Sequence, residues 1–113
     1  MILTPQSREL LLKQFPAKEG FRVICHHVTL NLGGLDESLG YQIGDKVKFH
    51  ATHYGEYGDS VAALKVVGVN SRNATPHITL GCSSTGKPVM SNLIQEWIAL
   101  EEAIPLEGYV EEQ

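Results

Sequence analysis

The sequence predicts an α+β fold, in which a mainly antiparallel sheet carries an N-terminal and a C-terminal helix. Three observations predict it: a helix-start signal at the beginning of the chain, several apolar–polar alternating segments bounded by glycine, and an apolar stretch at helical spacing near the end. The chain has 113 residues, the size of one domain, and we expect residues 1–113 to form a single compact domain.

The first predicted element is a short helix. Thr4 suits the N-cap and Pro5 the first helical position, because Pro5 has no amide hydrogen left to satisfy there. Pro16 predicts that the helix ends just before it. Its apolar side is expected to pack on the sheet and consists of Leu10, Leu11, Leu12 and Phe15.

Three strands are predicted in the first two thirds of the chain. Residues 21–32 are rich in β-branched side chains and flanked by glycine, so they predict the first strand. Residues 33–44 are interrupted by glycines and predict a loop with at most one helical turn. Residues 45–54 and 60–69 predict two further strands, which the turn at 55–59 joins into a hairpin. The apolar alternation in the second strand consists of Val47, Phe49 and Ala51.

A fourth strand and a C-terminal helix complete the prediction. Residues 75–82 form an apolar stretch between two polar loops. Ser91 suits the N-cap of a last helix that stops before Pro105, and residues 108–110 could add a final strand. The apolar side of this predicted helix consists of Leu93, Ile94, Trp97, Ile98 and Leu100.

One pattern, His-x-Thr-apolar, occurs twice, at His27 with Thr29 and at His77 with Thr79, fifty positions apart. Alternate side chains of a strand share a face, so each histidine lies on the same face as its threonine. An imidazole titrates near neutral pH, so one ring can act as base and the other as acid. Threonine hydroxyls can donate hydrogen bonds to phosphate oxygens. The pair predicts a catalytic site made of two strands.

The segments His27-Val28-Thr29-Leu30 and His77-Ile78-Thr79-Leu80 resemble the two motifs of the 2H phosphoesterases, the LigT-like cyclic phosphodiesterases. The resemblance implies a 2H phosphoesterase-like fold and a metal-independent hydrolase without a cofactor. Its general acid and base are the two histidines, in an order that the sequence leaves open. Members of the family are longer and carry a helix after the first motif, so we interpret this chain as a compact member.

The same resemblance implies the substrate class. Members open 2′,3′-cyclic phosphates at RNA ends, and some act on 2′-5′ linkages or cyclic nucleotides, which would place this chain in RNA repair and processing or in the degradation of a cyclic (oligo)nucleotide signal. Arg72 and Lys87 could supply positive charge beside the motif strands. Tyr54 and Tyr57, near the predicted hairpin turn, could stack on a base.

Composition limits the partners. The net charge of −4 disfavours tight binding to long nucleic acid and leaves a small nucleotide or RNA-end phosphodiester as the expected partner. Cys25 and Cys82 are too few for a disulfide framework, so we expect reduced thiols in an intracellular, cytoplasmic protein. No stretch approaches about 20 apolar residues, so membrane spanning is disfavoured. The oligomeric state stays open.

Two alternatives remain beside the enzyme. The first is a non-catalytic module of the same fold that binds a nucleotide or phosphate. The second is a small metal-binding β protein that uses several histidines. His50 and His53 lie three apart on a predicted strand and so point to opposite faces, and the chain lacks helical His-x-x-x-His spacing or a cysteine pair. The sequence therefore predicts no metal ligands.

Overall fold

The computed structural model describes residues 1–30 and 37–111, which form a six-stranded antiparallel sheet, one α-helix and two short 3₁₀ segments. The helix α1 is Pro5–Gln14, and the 3₁₀ segments are Glu37–Leu39 and Pro88–Leu93. The strands are β1 (Ile2–Leu3), β2 (Arg22–Val23), β3 (Lys46–Tyr57), β4 (Val61–Val67), β5 (His77–Cys82) and β6 (Trp97–Tyr109). They lie in the order β1-β6-β3-β4-β5-β2, so the α+β class and the antiparallel sheet are as predicted.

Residues 26–28 join the two edges of the sheet, which are β1 on one side and, beyond the two-residue β2, the His77 end of β5 on the other. His27 forms an isolated antiparallel bridge with Ile2 of β1, and Val28 forms another with Ile78 of β5. The Met1 ammonium donates to the Val28 carbonyl and the Val28 amide donates to the Met1 carbonyl, both at 2.9 Å. The first histidine motif therefore lies between β1 and β5, where it satisfies backbone groups of both edges.

Both faces of the sheet are packed, and they differ in size. The larger core holds α1 through Leu11 and continues into β3, β4, β5 and β6. The smaller core lies on the opposite face, where the 3₁₀ segment 88–93 and the chain after it cover β4 and β5. Its buried members are Val61, Ala63, Cys82 and Ile94. The short covering segment leaves part of this second face open, and that opening is where the candidate site lies.

The N-terminal helix is confirmed. Thr4 is the N-cap, its hydroxyl accepts a hydrogen bond from the Ser7 amide at 3.2 Å, and Pro5 occupies the first turn. Leu11 is fully buried, and Leu12 and Phe15 pack against the main core. None of the helices formed by the described residues has the length and apolar character that a membrane crossing requires.

The hairpin is also confirmed, with a longer first strand than predicted. The alternating burial of β3 at Val47, Phe49 and Ala51 follows the sequence pattern. β3 continues to Tyr57, so the predicted turn at 55–59 shortens to a tight turn in which the Ser60 amide donates to the Tyr57 carbonyl at 3.0 Å. Glycine fits this turn because residue 58 has a positive φ of 52°.

The predicted C-terminal helix is wrong. Ser91 lies in a 3₁₀ segment, and the residues from Trp97 onwards form β6, a 13-residue strand paired with β3 along most of its length. The apolar positions that suggested helical spacing do not share one buried side: Ile98 is 69% exposed, whereas Ile94 is buried. Pairing with a long neighbouring strand outweighs a weak local helical preference.

The predicted first strand, residues 21–32, is largely wrong. Within its described part, residues 21–30, only Arg22–Val23 forms a regular ladder, against Cys82 and Gly81 of β5. Cys25 has a φ of 41°, a left-handed conformation that interrupts an extended chain. Residues 31–32 and the first four residues of the loop predicted at 33–44 lie outside the described residues; the described part of that loop, residues 37–44, contains one 3₁₀ turn.

Candidate functional site

Both copies of the histidine motif line one cavity of about 560 Å³ on the open part of the smaller-core face. His27 and Thr29 come from the segment that joins the sheet edges, and His77 and Thr79 come from β5. The remaining wall consists of Arg72, Asn73, Ala74, Pro88, Val89 and Asn92. Chain folding thus brings together the four residues that the sequence singled out as catalytic.

The backbone of β5 explains how its two functional side chains reach this cavity. Ile78 is fully buried and Leu80 nearly so, and both belong to the main core on the other face. His77 and Thr79 alternate with them and therefore point to the cavity face. Ile78 thus anchors the strand from below.

A shift in register sets which residues of the two copies are neighbours. The Cys25 amide donates to the Thr79 carbonyl at 2.8 Å, yet Val28 bridges Ile78. From the first pairing to the second, the first segment moves on by three residues, from Cys25 to Val28, whereas β5 moves by only one, from Thr79 to Ile78. Antiparallel pairing around the Val28–Ile78 bridge then places His27 opposite Thr79 and, on the other side, Thr29 opposite His77.

That shift is a bulge, and it has a chemical consequence. Without it, the register of β2 would place His27 directly opposite His77 and would leave Thr79 facing Cys25. The bulge at the left-handed Cys25 instead sets each histidine opposite the threonine of the other copy in the backbone register. An oxyanion between them would meet two rings and two hydroxyls.

His27 is held in its neutral form. Burial lowers its pKa below the ordinary value, and the Met1 ammonium, His26 and His77 lower it further by charge repulsion. The His26 ring lies edge-on to it, with ring centroids 5.8 Å apart. A neutral imidazole near pH 7 can accept a proton from water.

The His77 ring is oriented by a backbone carbonyl two residues before it. Its Nδ1 lies 2.9 Å from the Thr75 carbonyl oxygen. A carbonyl can only accept, so Nδ1 carries the hydrogen in this bond. The proton that His77 gains or loses is therefore the one at Nε2.

The two threonines differ in their surroundings. Thr79 is buried, and its hydroxyl lies 2.8 Å from that of Ser91, which is itself only 1% exposed. The Thr79 hydroxyl also approaches the Pro88 carbonyl oxygen at 3.5 Å. Thr29 is half-buried, and its carbonyl accepts from the Ser71 hydroxyl at 2.7 Å. The 3₁₀ segment thus holds Thr79, while the loop before β5 holds Thr29.

The structure brings only some of the predicted substrate-binding residues to this cavity. Arg72 lines it, and its guanidinium donates to the Ser38 hydroxyl. Lys87 is exposed and directly precedes Pro88 of the wall. The structure therefore places one of the two predicted cations in the wall and the other next to it.

The predicted tyrosines lie elsewhere. Tyr54 lines a separate cavity of about 320 Å³ on the α1 face, with its ring stacked on Phe15 at 5.8 Å. Tyr57 is exposed at the end of β3 and does not line the histidine cavity. Strict alternation from Ala51 would put Tyr54 on the opposite face, but a register shift in β3 between Ala51 and His53 brings it to the main core.

Sequence reasoning missed Asn73 and Asn92, which line the cavity and share a hydrogen bond from Asn73 Nδ2 to Asn92 Oδ1 at 2.9 Å. Asn73 lies in a polar loop, and Asn92 lies in the segment predicted to be helical. The position of Asn73 four residues before a motif histidine was the one signal that pointed to it.

Within residues 1–30 and 37–111, no three histidine, cysteine, aspartate or glutamate side chains are placed to hold a metal ion. His50 is exposed, and His53 Nδ1 lies 2.8 Å from the Thr52 hydroxyl. Cys25 and Cys82 are both buried and unpaired, and burial raises the pKa of Cys25 to about 11.

No family model matches this chain, and it matches neither a curated protein nor a solved structure. The class that fold and site define is therefore an antiparallel α+β protein with a paired-histidine cavity. The likeness to the 2H phosphoesterases consists of the two sequence motifs.

Proposed function

We propose that this chain is a phosphoesterase that hydrolyses a phosphodiester with two histidines, acting on a 2′,3′-cyclic phosphate, a 2′-5′ linkage or a cyclic (oligo)nucleotide. One observation carries the proposal: two segments fifty residues apart place His27, Thr29, His77 and Thr79 around a single cavity. The cavity volume of about 560 Å³ falls within the usual range for small-ligand sites.

His27 is the general base. Its lowered pKa keeps the ring neutral at pH 7, so it can remove a proton from a water molecule that attacks phosphorus. Such a group contributes about 10²–10⁴-fold in rate.

His77 is the general acid. Its Nδ1 is committed to the Thr75 carbonyl, so Nε2 gives the proton to the departing oxygen. The water oxygen forms the new bond to phosphorus while the bond to one ester oxygen breaks. That oxygen leaves as a hydroxyl group, and the product is a phosphomonoester when the substrate is a cyclic phosphate. This scheme requires no cofactor.

Thr29 donates to a non-bridging oxygen, whose charge grows in the transition state. Thr79 does the same when the Ser91 hydroxyl donates to Thr79, which leaves the Thr79 hydrogen for the substrate. Arg72 adds positive charge to the cavity wall, which suits an anion in a chain of net charge −4. The 2H resemblance of the two motifs supports the choice of cyclic and 2′-5′ phosphodiesters among possible anions.

The test is hydrolysis of 2′,3′-cyclic nucleotides and of 3′,5′- and 2′-5′-linked cyclic dinucleotides in EDTA, followed by product chromatography. The wild-type chain should convert at least one substrate, and the His27→Ala, His77→Ala double variant none. His50→Ala removes an exposed histidine outside the cavity and is the matched control, which should keep full activity. Equal turnover by the wild type and the double variant, or none by the wild type on any substrate, rejects the proposal.

A second candidate, a binding module without turnover, is favoured by one observation. The Thr79 hydroxyl is already engaged by Ser91, so it is less available to stabilise charge on a reacting phosphate. This candidate predicts saturable binding of the same nucleotides by calorimetry, with the nucleotide recovered intact. Recovery of a ring-opened product rules it out.

A further inference from the structure

We propose that Asn73 is the positioning residue of the site: through the Thr75 peptide it fixes the orientation and tautomer of His77. The catalytic consequence rests on the proposed function, whereas the effect on the His77 ring does not. Asn73 lies in the loop that enters β5, four residues before the histidine, and it lines the cavity.

Asn73 makes two local bonds that fold this loop. Its Oδ1 accepts from the Thr75 amide at 3.0 Å, and its own amide donates to the Ser71 hydroxyl at 3.0 Å. Both join residues two apart, the turn geometry that asparagine and serine side chains favour. The Thr75 peptide is thereby held at its nitrogen.

The next peptide plane carries the effect to the ring. The Thr75 carbonyl accepts from His77 Nδ1 at 2.9 Å, so the rotation of residue 75 determines where that acceptor points. With the acceptor fixed, neutral His77 carries its hydrogen on Nδ1 and presents Nε2. Without it, the ring can rotate and populate the Nε2-protonated tautomer.

Two further bonds connect Asn73 to the other walls. Ser71, which Asn73 contacts, donates to the Thr29 carbonyl at 2.7 Å, next to the first motif. Asn73 Nδ2 donates to Asn92 Oδ1 on the 3₁₀ segment at 2.9 Å, in an exposed contact. Asn73 is thus the junction of the first motif, the second motif and the covering segment.

Three variants separate these contacts. Asn73→Ala removes the acceptor for Thr75 and the bond to Asn92. Asn73→Ser keeps a short neutral acceptor for the Thr75 amide, since serine forms the same turn more weakly. Asn92→Ala removes the bond to Asn73 and the Asn92 Nδ2 bond to the Val89 carbonyl, but it keeps the Asn73–Thr75 contact, so it is the matched control.

The primary measurement is imidazole ¹⁵N NMR of neutral His77 at alkaline pH, with the signal assigned by comparison with His77→Gln. The wild type and Asn92→Ala should show protonated Nδ1 and unprotonated Nε2. Asn73→Ala should show a mixture of tautomers, and Asn73→Ser should restore the wild-type pattern at least in part. An unchanged Asn73→Ala spectrum, or no recovery in Asn73→Ser, overturns the inference.

The second measurement is steady-state hydrolysis of the substrate found active. Asn73→Ala should lower kcat roughly 10- to 100-fold with little change in KM, since misplacement of a reacting group slows chemistry more than binding. A KM effect without a kcat effect contradicts the positioning role. If no substrate is turned over, the proposed function fails while the NMR comparison still decides the role of Asn73.

Discussion

The two copies of the histidine motif have the same sequence pattern but differ in how the backbone holds them. His77 and Thr79 lie in β5, a six-residue strand paired with β4 and β2. His27 and Thr29 lie in a segment with two isolated bridges and a left-handed residue before it. A regular strand is therefore not needed for the motif to deliver its side chains.

What the copies share is a buried centre. Val28 and Ile78 are both fully buried, and they bridge each other beneath the cavity. What differs is the surroundings of the rings: burial and nearby positive charge act on His27, and a carbonyl orients His77. Two copies of one motif thus have unequal surroundings, and this difference is the basis for the proposed division into a base and an acid.

A change of the substrate's leaving group tests whether His27 and His77 have different roles. His27→Gln and His77→Gln should each lower hydrolysis of a cyclic nucleotide by about 10²–10⁴-fold. An aryl phosphodiester with a nitrophenyl leaving group needs no acid, so on that substrate His77→Gln should recover most of its rate while His27→Gln should not. Release of nitrophenolate measures this, and equal losses on both substrates would show that the roles are not divided.

The second largest effect concerns the buried centres. Ile78→Ala should lower the free energy of unfolding by about 2–5 kcal/mol, since a large side chain leaves a cavity in the main core. Val28→Ala removes less volume and should cost about 2 kcal/mol. Urea denaturation measures both, with the exposed Val23→Ala as control. If Val28→Ala lowered the unfolding free energy more than Ile78→Ala, the irregular first copy of the motif would depend more on packing than the copy in β5.

The third prediction compares the contributions of the Thr79 and Thr29 hydroxyls to stability. Thr79→Val leaves the buried Ser91 hydroxyl unpaired and should cost about 1–3 kcal/mol of unfolding free energy. Thr29→Val should cost less than about 0.5 kcal/mol, because its side chain is half-buried. Thermal denaturation tests the pair. Combining Thr79→Val with Ser91→Ala should recover part of the loss, and no recovery would argue against the hydroxyl contact.

The smallest effect is on pH dependence. Because the folded state lowers the His27 pKa, it favours the neutral ring; this stabilisation is complete above about pH 6.5 and is lost as pH falls from there through the lowered folded value. The acidic limb of kcat/KM should accordingly have its midpoint below about 6.5. Rate profiles and ring NMR check this, and a midpoint above 6.5 that disappears in His27→Gln would contradict it.

Sequence reasoning reached the parts of the fold whose local signals agree with their packing. The Thr4–Pro5 cap, the alternation of β3 and the strand that carries the second motif are all present as predicted. The C-terminal helix was wrong because the pairing of β6 with β3 is a long-range interaction that apolar spacing around Trp97 does not reveal.

The site was predictable in its residues but not in its arrangement. The repeated pattern identified four of the residues that line the cavity, since alternation alone assigns histidine and threonine to one face. The bulge at Cys25 depends on one left-handed residue that is not glycine, and the Asn73 junction depends on loop bonds between segments distant in sequence. Neither feature produces a periodic pattern in the sequence, so neither could be predicted from it.

The segment that carries His27 is also the seam at which the sheet edges join, through the Leu3 amide to the His26 carbonyl at 2.9 Å and the Val28 amide to the Met1 carbonyl. A local opening that breaks these hydrogen bonds moves the His27 ring away from the His77 ring before the rest of the sheet unfolds. Loss of function on heating or in denaturant should therefore precede global unfolding and track the amide hydrogen exchange of Leu3 and Val28.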